Sequence, residues 1–262
     1  MSAKETGHAK NVASYGTLVT DVESFGTTFN PSNDDIKLIA LKAVKTGLEA
    51  AMTEMRETER PYKTAINARQ EAFKGMSSLA TKLKNALLAS KATKKEIKDG
   101  ESLAKKLTGG KKALDSFIES THEKAKTVTP SADDSIVSEI NNEEIIQHSN
   151  SQMGYDNRIE NFKKFITFLT SIPSYNPNEE NLKISALTTY ANSLQPLNNA
   201  VDTTFLPFYN ARSKRNNLLY STDTGVHDLV QKVKSYVKSA YGVKSPEYKL
   251  ISKIQIKVPK IK

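Results

Sequence analysis

The chain predicts an all-α protein, an elongated helical bundle of coiled-coil-like character, on three observations. First, its composition is lean: 37% hydrophobic and 7% aromatic, with no Trp in 262 residues. Long helices with narrow apolar seams bury less surface per residue than one compact core, and they suit such a composition. Only 11 Gly and 9 Pro argue against the many turns of a β sandwich or barrel. Second, the positions 48, 52, 55, 59, 62, 66, 69, 73, 76, 80, 83 and 87 are apolar except Glu59 and Arg69. Alternating steps of four and three are a heptad. Third, "FNPSNDDIKLIAL" at 29–41 returns as "YNPNEENLKISAL" at 175–187, 146 residues later.

The recurrence extends well beyond those thirteen residues. At the same offset Leu48 falls on Leu194, Pro61-Tyr62 on Pro207-Phe208, Arg69 on Arg215 and Leu83 on Leu229. Upstream, one deletion moves the offset to 147, and Tyr15, Leu18, Val19, Val22 and Phe25 meet Phe162, Phe165, Ile166, Leu169 and Ile172. Repeats are sought before anything else, and this one reads as a tandem duplication. The expected organisation is a helical repeat at 1–108, an acidic linker with a short helix at 109–152, and a second repeat with a basic C-terminal coda at 153–262.

Within each copy the elements follow in order. Apolar spacings of three and four predict a first helix at about 8–25 and again at about 154–171. Asn-Pro then interrupts, because proline disfavours helix at the residue before it. Ser32, and Asn178 in the second copy, are the expected N-caps. Asp34/Asp35 and Glu179/Glu180 would then sit in the first turn, facing the positive end of the helix dipole. The heptad passes through Pro61 without a slip, which favours one long helix from about 32 to 89, kinked there. Its rival is an up-down three-helix unit resembling a spectrin repeat, with Pro61 and Pro207 at corners. A Lys-rich coda closes each copy. In the second, Ser245-Pro246-Glu247 reads as a helix start. "IQIKV" after it alternates apolar and polar, as a short strand or an extended arm would.

The chain resembles a family of internally duplicated helical proteins from Bacteroidota-type bacteria that has no known activity. The resemblance rests on "GHAKNV", the two Asn-Pro helix starts, "NAR" at 67–69 and 210–212, "SQMGYDNR" at 151–158 and "SPEYKLISKI" at 245–254. It spans nearly the whole chain apart from about 113–148. It supplies no catalytic residues, and it implies a bacterial, cytoplasmic, all-helical protein.

Several chemistries lack their residues. There is no cysteine, so disulfides, thiolate metal sites and a Cys nucleophile are excluded. No glycine-rich phosphate loop occurs. The N-terminus "MSAKETGHAKNV" carries no apolar leader segment, and "FITFLTSI" is far short of the roughly 18–20 residues that span a bilayer. The expectation is a cytoplasmic protein without a transmembrane segment. Glu119 and His122 have the E-x-x-H spacing of di-metal helices, but His148 stands four after Glu144, not three. They read as solvated polar residues, and no catalytic residue, metal or cofactor is assigned.

Charge carries the functional expectation. Residues 127–157 hold six acids and no Lys or Arg, whereas 228–262 hold nine Lys against Asp228 and Glu247. Such polarity suggests contact between the two segments, within one chain or between chains. The candidate contacts for a partner's carboxylate or phosphate are Arg212, Lys214 and Arg215, then Lys249, Lys253, Lys257, Lys260 and Lys262 in the tail. Arg69 and Arg215 lie on the seam, where ion pairs with acids such as Glu59 are expected. The favoured reading is a non-catalytic structural or protein-interaction module, with self-association as a further expectation. The alternative is a nucleic-acid-associated protein gripping the phosphate backbone through its basic C-terminal arm.

Overall fold

A computed structural model describes residues 7–108 and 154–258. The elements there are helical, without a strand among the described residues. Helix α1 spans His8–Ser24, α2 Leu38–Lys74, α3 Met76–Ala89 and α4 Lys94–Thr108. Helix α5 spans Tyr155–Thr170, α6 Ile184–Tyr220, α7 Val226–Tyr241 and α8 Pro246–Ser252. Short 3₁₀ turns cover Gly26–Thr28, Asp34–Ile36 and Glu180–Leu182. The expected short helix and acidic linker at 109–152 lie outside the described residues.

The element bounds recur at the sequence offset. Helices α2 and α6 are each 37 residues long, and their first and last residues stand 146 apart, as do the 3₁₀ turns before them. The seam is equally regular. Every heptad position from Leu48 to Leu87 is buried or half-buried, and so is every position 146 residues beyond it from Leu194 to Leu219.

Both long helices run unbroken through their prolines, so Pro61 and Pro207 are not corners. Helix α6 also takes Pro196 into its interior. A proline in mid-helix costs about 3 kcal/mol, because it removes a donor and crowds the carbonyl four residues back. All three prolines lie on the exposed side, and so do Glu57, Asn192 and Thr203, whose carbonyls are freed. On an exposed side such carbonyls are open to hydration. Burying two seam leucines, at about 1.5–3 kcal/mol each, offsets one proline.

Two expectations need correction here. The long helix does not run from 32 to 89: it ends at Lys74, and Gly75 separates it from α3. Nor do Ser32 and Asn178 cap it. Asn33 caps the 3₁₀ turn Asp34–Ile36, accepting from Asp35 N–H at 3.0 Å, and Glu179 precedes the second turn without a side-chain cap bond. Lys37 and Lys183 then leave helical geometry (ψ 146° and 144°) before the α-helix begins. The acids therefore serve the turn rather than the α-helix dipole. Asp34 pairs with Lys37 and Glu180 with Lys183, each at 2.5 Å. The Lys37 ammonium holds the Asp34 carboxyl below its usual range.

The described residues form two compact units, and neither coincides with one half of the sequence. One is built from 7–60 and 206–258, the other from 61–108 and 154–205. In the first unit, Tyr15, Leu18 and Val22 of α1 and Leu41 and Leu48 of α2 share a core with Leu229, Val233 and Val237 of α7 and with Ile251. In the second, Met76, Leu83 and Leu87 of α3 and Leu107 of α4 share a core with Phe162, Phe165 and Leu169 of α5 and with Leu194. Helix α4 opens on a reciprocal cap: Thr93 N–H and hydroxyl both donate to Glu96, and Glu96 N–H donates back to the Thr93 hydroxyl at 3.3 Å.

Candidate functional site

The basic C-terminal coda is anchored, not loose. Ser245 caps α8 by accepting from Tyr248 N–H at 3.0 Å, and Pro246 occupies the first helical position, as the sequence predicts. One side of the segment enters the core: Ile251, Ile254 and Ile256 are all buried. Gln255 and Lys257 between and after them are exposed, so the predicted alternation holds over residues that are neither helix nor strand. Lys234 Nζ donates to the carbonyls of Ser252 and Ile254. Asn11 closes the far end. Its Nδ2 donates to Lys257 O at 2.8 Å, and its Oδ1 accepts from Lys257 N–H at 3.1 Å. A side-chain amide thus pairs with one residue's backbone as a neighbouring strand would.

What this anchoring leaves outside is ordered by helix geometry. Pro246, Lys249, Leu250 and Lys253, spaced at three, four and seven, are all exposed and share one face of α8. Lys257 and Val258 extend the exposed stretch beyond the helix. Leu250 and Val258 each keep 52% of their surface in solvent. Lys249 and Lys253 therefore share a face with Leu250, and Lys257 and Val258 are exposed just beyond it in the chain. Lys260 and Lys262 lie outside the described residues.

Arg212 and Arg215 are not on that surface. They are buried on the α6 seam in the same unit, at 8% and 2% exposure. Lys214, between them in sequence, is exposed and pairs with Glu54 at 2.7 Å. It lines an open groove of about 500 Å³ together with Asn210, Ser213, Asn217 and Thr224. Arg215 donates to Asn216 Oδ1 from Nε at 3.1 Å and Nη2 at 2.7 Å, and from Nη1 to Met55 Sδ. Burial, and secondarily the charge of Arg212, lower its basicity to about 10, while Tyr220 and Glu59 act the other way. It stays charged at neutral pH.

His8 and Tyr220 complete this buried polar cluster. His8 Nδ1 lies 2.9 Å from Tyr220 Oη, and Asn11 Nδ2 donates to the same oxygen at 2.8 Å. The phenol proton then has one acceptor, His8 Nδ1, which places the imidazole proton on Nε2. Nε2 is buried and makes no hydrogen bond among the described residues. Burial, then the charges of Arg215 and Arg212, push the His8 pKa down to about 4.

The second unit holds a polar cluster at matching sequence positions. Arg69, the counterpart of Arg215, donates to Asn198 Oδ1 at 2.9 Å and lies 4.0 Å from the Tyr155 ring centroid. Asn198 Nδ2 in turn donates to Asp156 Oδ1 at 2.8 Å. Arg158, at the position of Asn11, is 4% exposed and donates to Phe73 O at 3.1 Å. Burial lowers its basicity.

Sequence reasoning missed His8, Asn11, Arg158, Asn198 and Tyr220. A signal was present: "GHAKNV" contains His8 and Asn11, and "SQMGYDNR" contains Tyr155, Asp156 and Arg158. These short polar motifs sit at the starts of α1 and α5 and supply the buried polar anchors of the two units. Glu119, His122, Glu144 and His148 lie outside the described residues. No group of three or more metal-ligating side chains occurs among the described residues, and no helix among them is long and apolar enough to cross a membrane.

Comparison with family models, with curated proteins and with solved structures finds no match to this chain.

Proposed function

We propose that this chain is a non-catalytic helical interaction module that self-associates through its basic C-terminal surface. The observation that carries the reading is the anchoring of that surface. Core isoleucines, Lys234 and Asn11 hold residues 246–258 in place, with Lys249, Leu250, Lys253 and Lys257 turned outward. A surface held in one conformation before contact loses less entropy on binding than a free tail does. The shared offset of α2 and α6 supports tandem duplication as the origin of the chain.

Light scattering across protein concentration at low salt tests self-association. A mass that climbs above the 29.0 kDa of one chain is expected, and a constant 29.0 kDa at every concentration removes the proposal. Nucleic-acid binding is the second reading, favoured by the joint exposure of Lys249, Lys253 and Lys257. Titration of labelled duplex DNA across salt decides it, since each phosphate contacted steepens the salt slope by about 0.9. Truncation of residues 243–262 is unsuitable for either test, because it removes Ile251, Ile254 and Ile256 from the core. Exchange of the three lysines for glutamine keeps that core.

A further inference from the structure

The exposed face of α8 is basic and apolar at once. Lys249 and Lys253 flank Leu250 on one side of the helix, and Lys257 and Val258 continue the same character. None of these three lysines makes an ion pair among the described residues. A partner that suits this surface carries carboxylates with branched aliphatic residues among them, at a similar density. One stretch of the chain has that chemistry. In "DDSIVSEINNEEII" at 133–146, five acids alternate with Ile136, Val137, Ile140, Ile145 and Ile146, with no basic residue to oppose them.

Resting on the self-association proposed above, we infer that the α8 face, with Lys257 and Val258, receives residues 133–146 of a second copy of this chain. Charge complementarity sets the approach and the register, and Leu250 and Val258 supply apolar area that carboxylate–lysine pairs alone lack. Exposed ion pairs are individually weak and screened by salt. The contact is therefore a salt-sensitive one, in which several pairs act together.

A charge-swap experiment on the full chain tests this. One variant reverses the face (Lys249→Glu, Lys253→Glu, Lys257→Glu). The other reverses the segment (Asp133→Lys, Glu139→Lys, Glu143→Lys). Sedimentation velocity at low salt and at about 0.5 M salt reads the assembly. Each variant alone is expected to self-associate about tenfold or more weakly than the parent. An equimolar mixture restores association, because each reversed element meets its complement on the other chain. Circular dichroism checks the fold, and where the face variant unfolds its Lys→Gln version replaces it and is read alone, without the mixture. If the parent associates but the reversals leave it unchanged, or the mixture is not rescued, this contact is wrong while self-association stands. A parent that is monomeric throughout overturns both.

Discussion

At the residue scale the first unit depends on a histidine that must stay neutral. His8 is 3% exposed, accepts the Tyr220 proton and lies near two guanidinium groups. Protonation would leave the Tyr220 hydroxyl hydrogen without its acceptor and place a third positive charge beside Arg212 and Arg215. The folded state thus binds this proton only below about pH 4, whereas the unfolded chain binds it below the ordinary 6.5. Between those values the unfolded state holds more protons, so stability falls as pH falls. The His8 contribution is fully present above 6.5 and is lost progressively down to about pH 4. One pKa unit is worth about 1.4 kcal/mol, which makes the loss about 2 kcal/mol between pH 7 and pH 5. Urea unfolding at the two pH values, for the parent and for His8→Gln, isolates this term from the carboxylates. Equal pH slopes in the two proteins would show that His8 does not titrate in this way. Asn11 bonds both Tyr220 and Lys257, so this cluster adjoins the C-terminal segment.

At the scale of elements, two glycines mark close approaches, and the atoms they face decide which matters more. A Cβ on Gly225 would lie 2.5 Å from Ser221 O and 2.7 Å from Ser221 N, both backbone atoms that cannot turn aside. Gly225→Ala is expected to destabilise by about 2 kcal/mol or more through overpacking in the α6–α7 turn. A Cβ on Gly100 in α4 would clash with Leu87 Cδ2 and meet Phe168 Cε1 at 3.3 Å. Leu87 is fully buried but its methyl group can shift, and alanine gains about 1 kcal/mol of helix propensity over glycine. Gly100→Ala is therefore expected to cost less than Gly225→Ala, and denaturant midpoints rank the two. If Gly100→Ala proves the worse, the α6–α7 turn yields more readily than this geometry allows. The elements themselves were largely legible in the chain, because local rules place them: the 8–25 helix, the Ser245 cap and the seam appear where spacing put them. The 3₁₀ turns were not, since a polar cluster after Asn-Pro suits an α-helix start equally well. The Thr93–Glu96 cap was legible and passed unnoticed. The inward turn of Arg212 and Arg215 follows from their seam positions, whereas the Lys214–Glu54 pair and the entry of Ile251, Ile254 and Ile256 into the core depend on tertiary packing that no spacing rule contains.

At the scale of the whole molecule, the partition of the cores between the two halves of the sequence is decisive. The sequence repeats suggest two self-contained pieces, yet each hydrophobic core draws on both. The core around Tyr15 and Leu48 takes Leu229, Val233 and Ile251 from the second half, and the core around Leu83 and Leu107 takes Phe162, Leu169 and Leu194. The cause is the two 37-residue helices. The boundary between units falls at residues 60–61 within α2 and 205–206 within α6, so each helix gives its residues to both units. Neither half of the chain contains a complete core, and a half alone would expose large apolar faces. Each fully buried Leu, Val or Phe is worth about 1.5–3 kcal/mol, and the second half supplies several such residues to each core. That burial opposes the translational freedom two fragments would gain on parting, about 4–15 kcal/mol. A protease site inserted between Thr129 and Pro130 tests this without altering any described residue. After cleavage the two fragments are expected to stay together, eluting from a sizing column at the position of the intact chain and retaining its helical circular dichroism. Urea should separate them in the same transition that unfolds the protein. Two fragments that part on cleavage, each keeping its helix content, would mean that the sequence repeats fold independently and that the shared cores do not hold the molecule together.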